Sequence, residues 1–147
     1  MRVFIGVILM VCVCGIGVAS AAETVIGVVK TVKGTASIIR KDETLPVKIG
    51  SRLYENDIIS TGRNGSMGIT FRDNSLLSIG SSSRLAIDKY TFQPDKNKFS
   101  MVAKMMRGTA VYMGGLIAKL KPQSIQFLTP TAVLGIRGTH FAIKVRG

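Results

Sequence analysis

The chain has 147 residues, of which 46% are hydrophobic, and its 20 Lys and Arg against 8 Asp and Glu give a formal net charge of +12. This length suits one domain. The positive charge favours anionic partners, but the basic residues are spread along the chain and form no aromatic-rich cluster of the kind that stacks nucleic-acid bases.

The first 22 residues have the pattern of a secretory signal. Arg2 gives a positive start, residues 3–18 are apolar throughout, and small residues occupy 19–22. Small side chains at 19 and 21, or at 20 and 22, fit signal-peptidase cleavage. The alternative is an inner-membrane anchor facing the periplasm, although a span needs roughly 20 apolar residues. We predict a cleavable signal peptide over 1–22 and a periplasmic domain over 23–147, with no transmembrane span in the mature protein.

Both cysteines, Cys12 and Cys14, lie inside that apolar segment. Each follows a valine, whereas a lipid-modified cysteine normally follows a small residue. The mature domain is therefore expected to have no disulfide, no thiol nucleophile and no thiolate metal site. Its hydrophobic core alone must hold the fold.

Short runs rich in Val, Ile, Thr and Phe alternate with turn signals along the predicted mature chain. Gly, Asn, Asp and Ser cluster at 62–65, 72–75 and 94–97, where they favour chain reversal. Met67, Ile69 and Phe71 occur at every second position, which places them on one face of a strand. The same alternation recurs at Ile125 and Phe127, and at Phe141, Ile143 and Val145. We predict an all-β domain of short antiparallel strands and tight turns, forming a compact sandwich or a roll or solenoid-like body.

Residues 99–107 fit two structures. Phe99, Val102 and Met105 lie on one face of a helix, whereas Met101, Ala103 and Met105 lie on one face of a strand. We favour the strand, because Pro94–Lys98 makes a good hairpin loop before it. Leu116–Leu120 fits a short helical turn.

The form apolar, basic, Gly, Thr occurs three times, at 32–35, 106–109 and 136–139. The unequal spacing excludes a regular solenoid repeat. We interpret the form as a repeated strand entry, in which Gly permits a bend and Thr begins the next strand. An arginine beside such a turn, Arg107 or Arg137, could bind backbone carbonyls or a carboxylate such as Asp57.

Four motifs appear in order between Leu53 and Phe141 and resemble the FecR family. They are Leu-Tyr-Glu-Asn-Asp-Ile-Ile-Ser-Thr at 53–61, Gly-Ile-Thr-Phe-Arg-Asp-Asn-Ser at 68–75, Ser-Arg-Leu-Ala-Ile at 83–87, and Thr-Pro-Thr-Ala followed by Arg-Gly-Thr-His-Phe at 129–141. The resemblance implies a FecR-type periplasmic domain. The positions that it marks as structural or partner-binding are Asp57, Asp73, Thr129, Pro130, Arg137, Gly138, Thr139 and Phe141.

The sequence departs from the family pattern in three respects. Asn56 and Asn74 stand where the family usually has Gly, and Asn also tolerates left-handed backbone geometry. The signature ends close to Gly147, which implies a short variant or a last strand at an open edge. The best-known relatives carry a cytoplasmic anti-sigma domain before a membrane segment, whereas only Met1 and Arg2 precede the apolar run here. We therefore expect the periplasmic module without the anti-sigma activity.

No residue pattern indicates catalysis or a cofactor. His140, the only histidine, shares a predicted strand face with Lys144 and Arg146, and no acid or nucleophile is placed to work with it. The acids are scattered and show no spacing typical of general acid–base pairs or calcium loops. We predict a protein that is not an enzyme, with no catalytic, cofactor or metal site.

Two functions remain open from the sequence. The first is a protein-interaction module in envelope sensing or regulation, as the resemblance implies, binding through a strand edge or loops. The second is a structural envelope protein that binds an anionic glycan or lipopolysaccharide through its basic surface. Nucleic acid is not an expected partner of an exported protein.

Overall fold

The computed structural model describes residues 23–136 and 140–146. Within these ranges lie twelve strands: β1 (Gly27–Lys33), β2 (Ala36–Arg40), β3 (Glu43–Pro46), β4 (Arg52–Leu53), β5 (Ile58–Thr61), β6 (Ser66–Phe71), β7 (Leu76–Ile79), β8 (Arg84–Gln93), β9 (Lys98–Met113), β10 (Ile125–Leu128), β11 (Val133–Gly135) and β12 (His140–Val145). One short helix, α1 (Leu116–Leu120), follows β9, and 3-10 turns occupy Pro94–Lys96 and Pro122–Ser124. No helix in these ranges is long and apolar enough to cross a membrane.

The strands form one curled, half-barrel sheet that is divided into two wings. Wing A has the order β4-β1-β6-β7-β9-β12, and wing B has the order β3-β2-β5-β8-β9-β10-β11. Neighbouring strands are antiparallel except for β10, which runs parallel to β9. Strand β9 belongs to both wings, since its first half pairs with β8 and its second half with β7. The predicted all-β fold class is confirmed.

The wings meet where the chain bends, and we call this bend the sheet corner (residues 33–35, 61–65, 80–83 and 107–109). Here β1 leads into β2, β5 into β6 and β7 into β8, while β9 passes through without interruption. Buried hydroxyls bind these crossings together. Thr61 Oγ1 donates to the Gly80 carbonyl at 2.7 Å and accepts from the Ser83 amide at 3.0 Å. Ser83 Oγ accepts from the Thr109 amide at 3.0 Å.

Two of the three repeated Gly-Thr elements lie at the sheet corner. Gly34 and Gly108 have φ of +61° and +94°, a backbone conformation that other residues rarely adopt. Each glycine turns the chain from one wing into the other, which supports the interpretation of the repeat as a bend followed by a strand entry. The third element, at 136–139, falls mostly outside the described residues.

The hydrophobic core lies between the two wings. The alternation predicted from the sequence is confirmed in two strands, because Met67, Ile69 and Phe71 are buried in β6 and Ile125 and Phe127 are buried in β10. The strand assignment for 99–107 is confirmed, because Met101, Ala103 and Met105 are all buried in β9. Other fully buried members of the core are Val29, Leu53, Ile59, Leu77, Leu85, Ile87, Tyr112 and Ile117.

The turns of the structure contain the residues that were predicted from the sequence to form them. Asn56 and Asn74 adopt φ of +71° and +65°, so the expected left-handed geometry is confirmed at both positions. The loop between β8 and β9 is the predicted hairpin and ends on Asn97, with φ of +52°. The predicted helical turn at 116–120 is α1.

Candidate functional site

A cleft of about 420 Å³ separates the β10–β11 hairpin from β12, and we call it the C-terminal cleft. One wall consists of residues 129–131 and Leu134, and the other of residues 141–146. Phe141 is half-buried and contacts Phe127 in the core, with ring centroids 5.4 Å apart. This contact fixes β12 on the core and leaves the rest of the cleft open.

The rim of the C-terminal cleft is a tight turn between β10 and β11. The Thr129 amide donates to the Ala132 carbonyl at 2.8 Å. Thr129 Oγ1 in turn accepts from the Ala132 amide at 3.0 Å. Pro130 is exposed at the tip, where its fixed φ suits a turn and its lack of an N–H costs no hydrogen bond. The Thr-Pro pair of the family signature therefore builds one wall of the cleft.

Strand β12 has a pairing partner on one side only. It pairs with β9 in the register His140↔Met113 to Val145↔Gly108, and among the described residues no strand pairs with its other edge. Ile143 is buried, with Phe141 and Val145 half-buried, which agrees with the predicted alternation. His140 is exposed on the same face as Lys144 and Arg146, as expected. The open edge thus carries basic side chains on its outer face.

The outer face beside β12 is apolar. Leu76, Val111 and Met113 are 41%, 44% and 40% exposed. Leu76 pairs with Met113, which in turn pairs with His140, and Val111 pairs with Ala142. We call these residues, together with Ala142, the outer apolar patch. Contiguous exposed apolar side chains of this kind mark interaction surfaces.

Asp57 lies away from the cleft and has a structural role. Arg40 donates to it twice, from Nε at 2.8 Å and from Nη2 at 2.7 Å, and the Tyr54 amide donates at 2.9 Å. Arg40 also lies 4.5 Å above the centroid of the Tyr54 ring. The hydrogen bond to Asp57 raises the pKa of Arg40. The idea that Arg107 binds this carboxylate is wrong, because β9 places Arg107 at the sheet corner, whereas the far end of β2 brings Arg40 to Asp57.

Asp73 is fully buried at the turn between β6 and β7. Its Oδ1 accepts from the Ser75 hydroxyl at 2.6 Å and from the Tyr90 hydroxyl at 2.8 Å, and its Oδ2 accepts from the Ile117 amide at 3.3 Å. Burial raises the pKa of Tyr90 far above its usual range, and the negative charge of Asp73 adds to the rise. Asp73 therefore ties β6, β8 and α1 together.

The structure brings three of the predicted site residues together and leaves others apart. Thr129, Pro130 and Phe141 line the C-terminal cleft. Asp57 and Asp73 do not line it, and both are occupied by hydrogen bonds within the fold. The remaining signature positions, 137–139, lie outside the described residues. Sequence reasoning missed the outer apolar patch, because the buried face of β9 changes from odd to even positions at the sheet corner. Alternation continued from Met101 and Met105 would have placed Val111 inside.

A second cavity, of about 400 Å³, lies at the end of the domain away from the sheet corner. Its walls include the acids Glu23 and Glu55, the base Arg72, and the aromatic rings of Tyr54 and Phe92. Charges of both signs face it, so its electrostatics select no class of ligand. Across the described ranges, no three His, Cys, Asp or Glu side chains are grouped so that they could hold a metal ion.

The curled sheet of antiparallel strands defines an all-β domain, and both buried carboxylates are engaged in hydrogen bonds within it. The family model described as "FecR protein" matches residues 57–147, which is more than half of the chain. The chain therefore belongs to the FecR family, a non-enzymatic regulatory family whose domains are periplasmic and related to envelope signalling. No curated protein and no solved structure matches the chain.

Proposed function

We propose that this protein is a non-catalytic periplasmic module that binds a protein partner in envelope sensing or regulation. The observation that carries the proposal is the open edge of β12, which lies between the C-terminal cleft and the outer apolar patch. An unpaired strand offers a row of backbone donors and acceptors to an incoming strand. A partner segment in extended conformation would gain main-chain hydrogen bonds there and place alternate side chains on the two flanking surfaces.

The charges around β12 indicate the chemistry of that segment. His140, Lys144 and Arg146 lie on its outer face, and no acid lies on β12. Such a surface attracts a segment that carries Asp or Glu and disfavours a basic one. The partner segment that fits best alternates apolar with acidic residues.

The proposal is tested by site-specific photo-crosslinking in living cells. A photoreactive amino acid at Ala142, which is exposed on β12, should yield a discrete adduct with an envelope protein. The same probe at Thr44, which is exposed on the edge strand β3 of wing B, serves as the control. Lys144→Glu should weaken the adduct from Ala142. Equal adducts from both positions, or none from Ala142, would contradict the proposal.

We also propose that residues 1–22 direct export of the domain to the periplasm and are then removed by signal peptidase. Support comes from the charged start, apolar middle and small-residue exit of that segment. Intact-mass measurement of the protein from a periplasmic extract should give a chain that begins at residue 22 or 23. A protein that keeps residues 1–22 and sediments with the inner membrane would favour the anchored alternative.

A further inference from the structure

The sheet corner contains a cavity of about 360 Å³. Its walls are formed by Thr61, Gly62, Arg63, Ser82 and Arg107. These residues come from three separate crossings between the wings, so the bend of the sheet itself assembles the cavity. Its volume lies near the lower end of the range for small-ligand sites.

The charges at the sheet corner are all positive. The four crossings carry Lys33, Arg63 and Arg107, and Arg84 begins the strand that leaves the third crossing. Of the eight acids in the chain, only Asp88 lies within a strand that starts at the corner, four positions beyond Arg84. The other acids, which lie in the N-terminal segment and at the opposite ends of the strands, are Glu23, Asp42, Glu43, Glu55, Asp57, Asp73 and Asp95.

Two of these cations oppose each other directly. Arg84 pairs with Arg107 across β8 and β9, next to an irregularity in the register. Like charges at directly opposite positions destabilise a sheet. Within the described ranges neither arginine forms a salt bridge or a side-chain hydrogen bond, whereas Arg40 is held by a buried carboxylate. A bound anion would supply the missing counter-charge.

The backbone of the corner leaves these guanidinium groups available. The Gly62 carbonyl already accepts from the amides of Gly65 and Ser82, at 3.0 and 2.9 Å. The Thr35 carbonyl accepts from the Gly62 amide at 2.9 Å, and the Gly80 carbonyl accepts from Thr61 Oγ1 at 2.7 Å. Since these carbonyls are occupied, they compete little for the arginine donors. Ser82 is exposed beside the two arginines and adds a hydroxyl donor.

We propose that the cavity between Arg63 and Arg107 binds the anionic oxo groups, phosphate or carboxylate, that lipopolysaccharide and acidic envelope glycans both carry. The planar guanidinium donates two parallel hydrogen bonds to such a group. The corner also carries Lys33 and Arg84, so a polymer with repeated anionic groups can meet several cations at once and bind more tightly than a single ion does. This site is independent of the β12 edge, and the two functions stand or fall separately.

The test compares two double variants of the mature protein that change the charge equally. Arg63→Gln with Arg107→Gln removes both cations of the cavity. Arg52→Gln with Arg72→Gln removes two exposed arginines away from the corner and serves as the control. Affinities for purified lipopolysaccharide, polygalacturonate and inorganic phosphate are measured by titration calorimetry in 0.05 M and 0.3 M NaCl. Circular dichroism and melting curves confirm that both variants fold.

We expect the parent protein to bind at least one polymer, more weakly at high salt because screening shortens the range of the interaction. The corner variant should lose about tenfold or more in affinity, and the control less than about threefold. Arg107→Lys, which keeps the charge but loses the planar fork, should fall between the parent and the double variant. Loss for lipopolysaccharide and inorganic phosphate, without loss for polygalacturonate, identifies phosphate as the group. Loss for both polymers identifies the shared oxo-anion chemistry. Equal losses in the two double variants, or no polymer binding by the parent, would overturn the proposal.

Discussion

Asp57 and Asp73 are both buried, but their negative charges are balanced in different ways. Asp57 faces the guanidinium of Arg40, so its charge has an opposite charge in contact. Asp73 has only neutral donors around it, namely hydroxyls and backbone amides. A buried carboxylate needs several such bonds to remain charged away from water. Every donor around Asp73 therefore contributes to the stability of the domain.

Two buried tyrosines should respond in opposite ways to loss of the hydroxyl. Tyr90→Phe removes a donor to Asp73 and should lower the free energy of unfolding by about 2 kcal/mol. The Tyr112 hydroxyl is buried without a hydrogen bond within the described part of the chain, so Tyr112→Phe should leave stability unchanged or raise it slightly. Urea titration of both variants gives the comparison. Equal destabilisation by the two substitutions would contradict this account of Asp73.

Stability should also fall in alkaline solution. Burial raises the pKa of Tyr112 from 10.0 to about 12, and the charge of Asp73 adds to the rise. Between these pH values Tyr112 ionises in the unfolded chain but stays neutral in the fold, so the free energy of unfolding decreases as pH rises. The slope for one such tyrosine is about 1.4 kcal/mol per pH unit. Tyr112→Phe should flatten the curve between pH 10 and pH 12 by that amount, and an unchanged slope would exclude the raised pKa.

At the scale of elements, β9 organises the fold because it is the only described strand shared by both wings. It passes the sheet corner at Gly108, whose backbone has φ of +94°. A side chain added there would collide with Ser83, whose hydroxyl binds the next residue of β9. The bend and the buried hydroxyl network therefore require the same glycine.

Substitution of Gly108 should be among the most damaging single changes in the domain. Gly108→Ala combines an unfavourable backbone conformation with overpacking against Ser83, and we expect a loss of about 3 kcal/mol or more. Gly135→Ala in β11 is the matched control, because an added methyl group meets nothing within 4 Å there. We expect it to change stability by less than about 0.5 kcal/mol. Thermal melts that shift equally for the two variants would show that the bend does not depend on glycine.

The local features of these elements could be predicted from the sequence, whereas the long-range ones could not. Alternation identifies the inward side of β6, β10 and β12, because period two is a property of the strand alone. The partner of Asp57 is different, since 20 cations could fill that position and Arg40 is 17 residues away. The C-terminal cleft could not be predicted from the sequence either, because it depends on how the β10–β11 hairpin lies beside β12. Turn chemistry shows that a chain reverses but not which strand becomes its neighbour.

At the scale of the whole molecule, charge is distributed unevenly. The sheet corner and β12 are basic, and most acids lie at the opposite ends of the strands. The opposite ends also carry basic residues such as Arg40, Lys41 and Arg72, so their charges largely cancel, whereas the corner carries cations alone. An anionic surface would therefore attract the corner first. The proposed anion site and the proposed strand edge can then act together, because the corner holds the envelope polymer while β12 faces a protein.

Local stability should also be uneven across the molecule. Strand β9 is paired on both sides along much of its length and should exchange its amide hydrogens by global unfolding. The short edge strands β3, β4 and β11 should exchange faster through local fraying. Hydrogen exchange followed by mass spectrometry measures the order. Fast exchange in the middle of β9 would show that the wings open separately.

The continuity of β9 limits how the length of this domain can change. Deleting one residue from its middle would reverse inside and outside for every later position of the strand, exposing Tyr112 and burying Val111. Both wings would be affected, since neither can shift its pairing without the other. Insertions and deletions should therefore be tolerated only at hairpin tips, such as 41–42 and 94–97, and libraries that vary chain length should be confined to those sites.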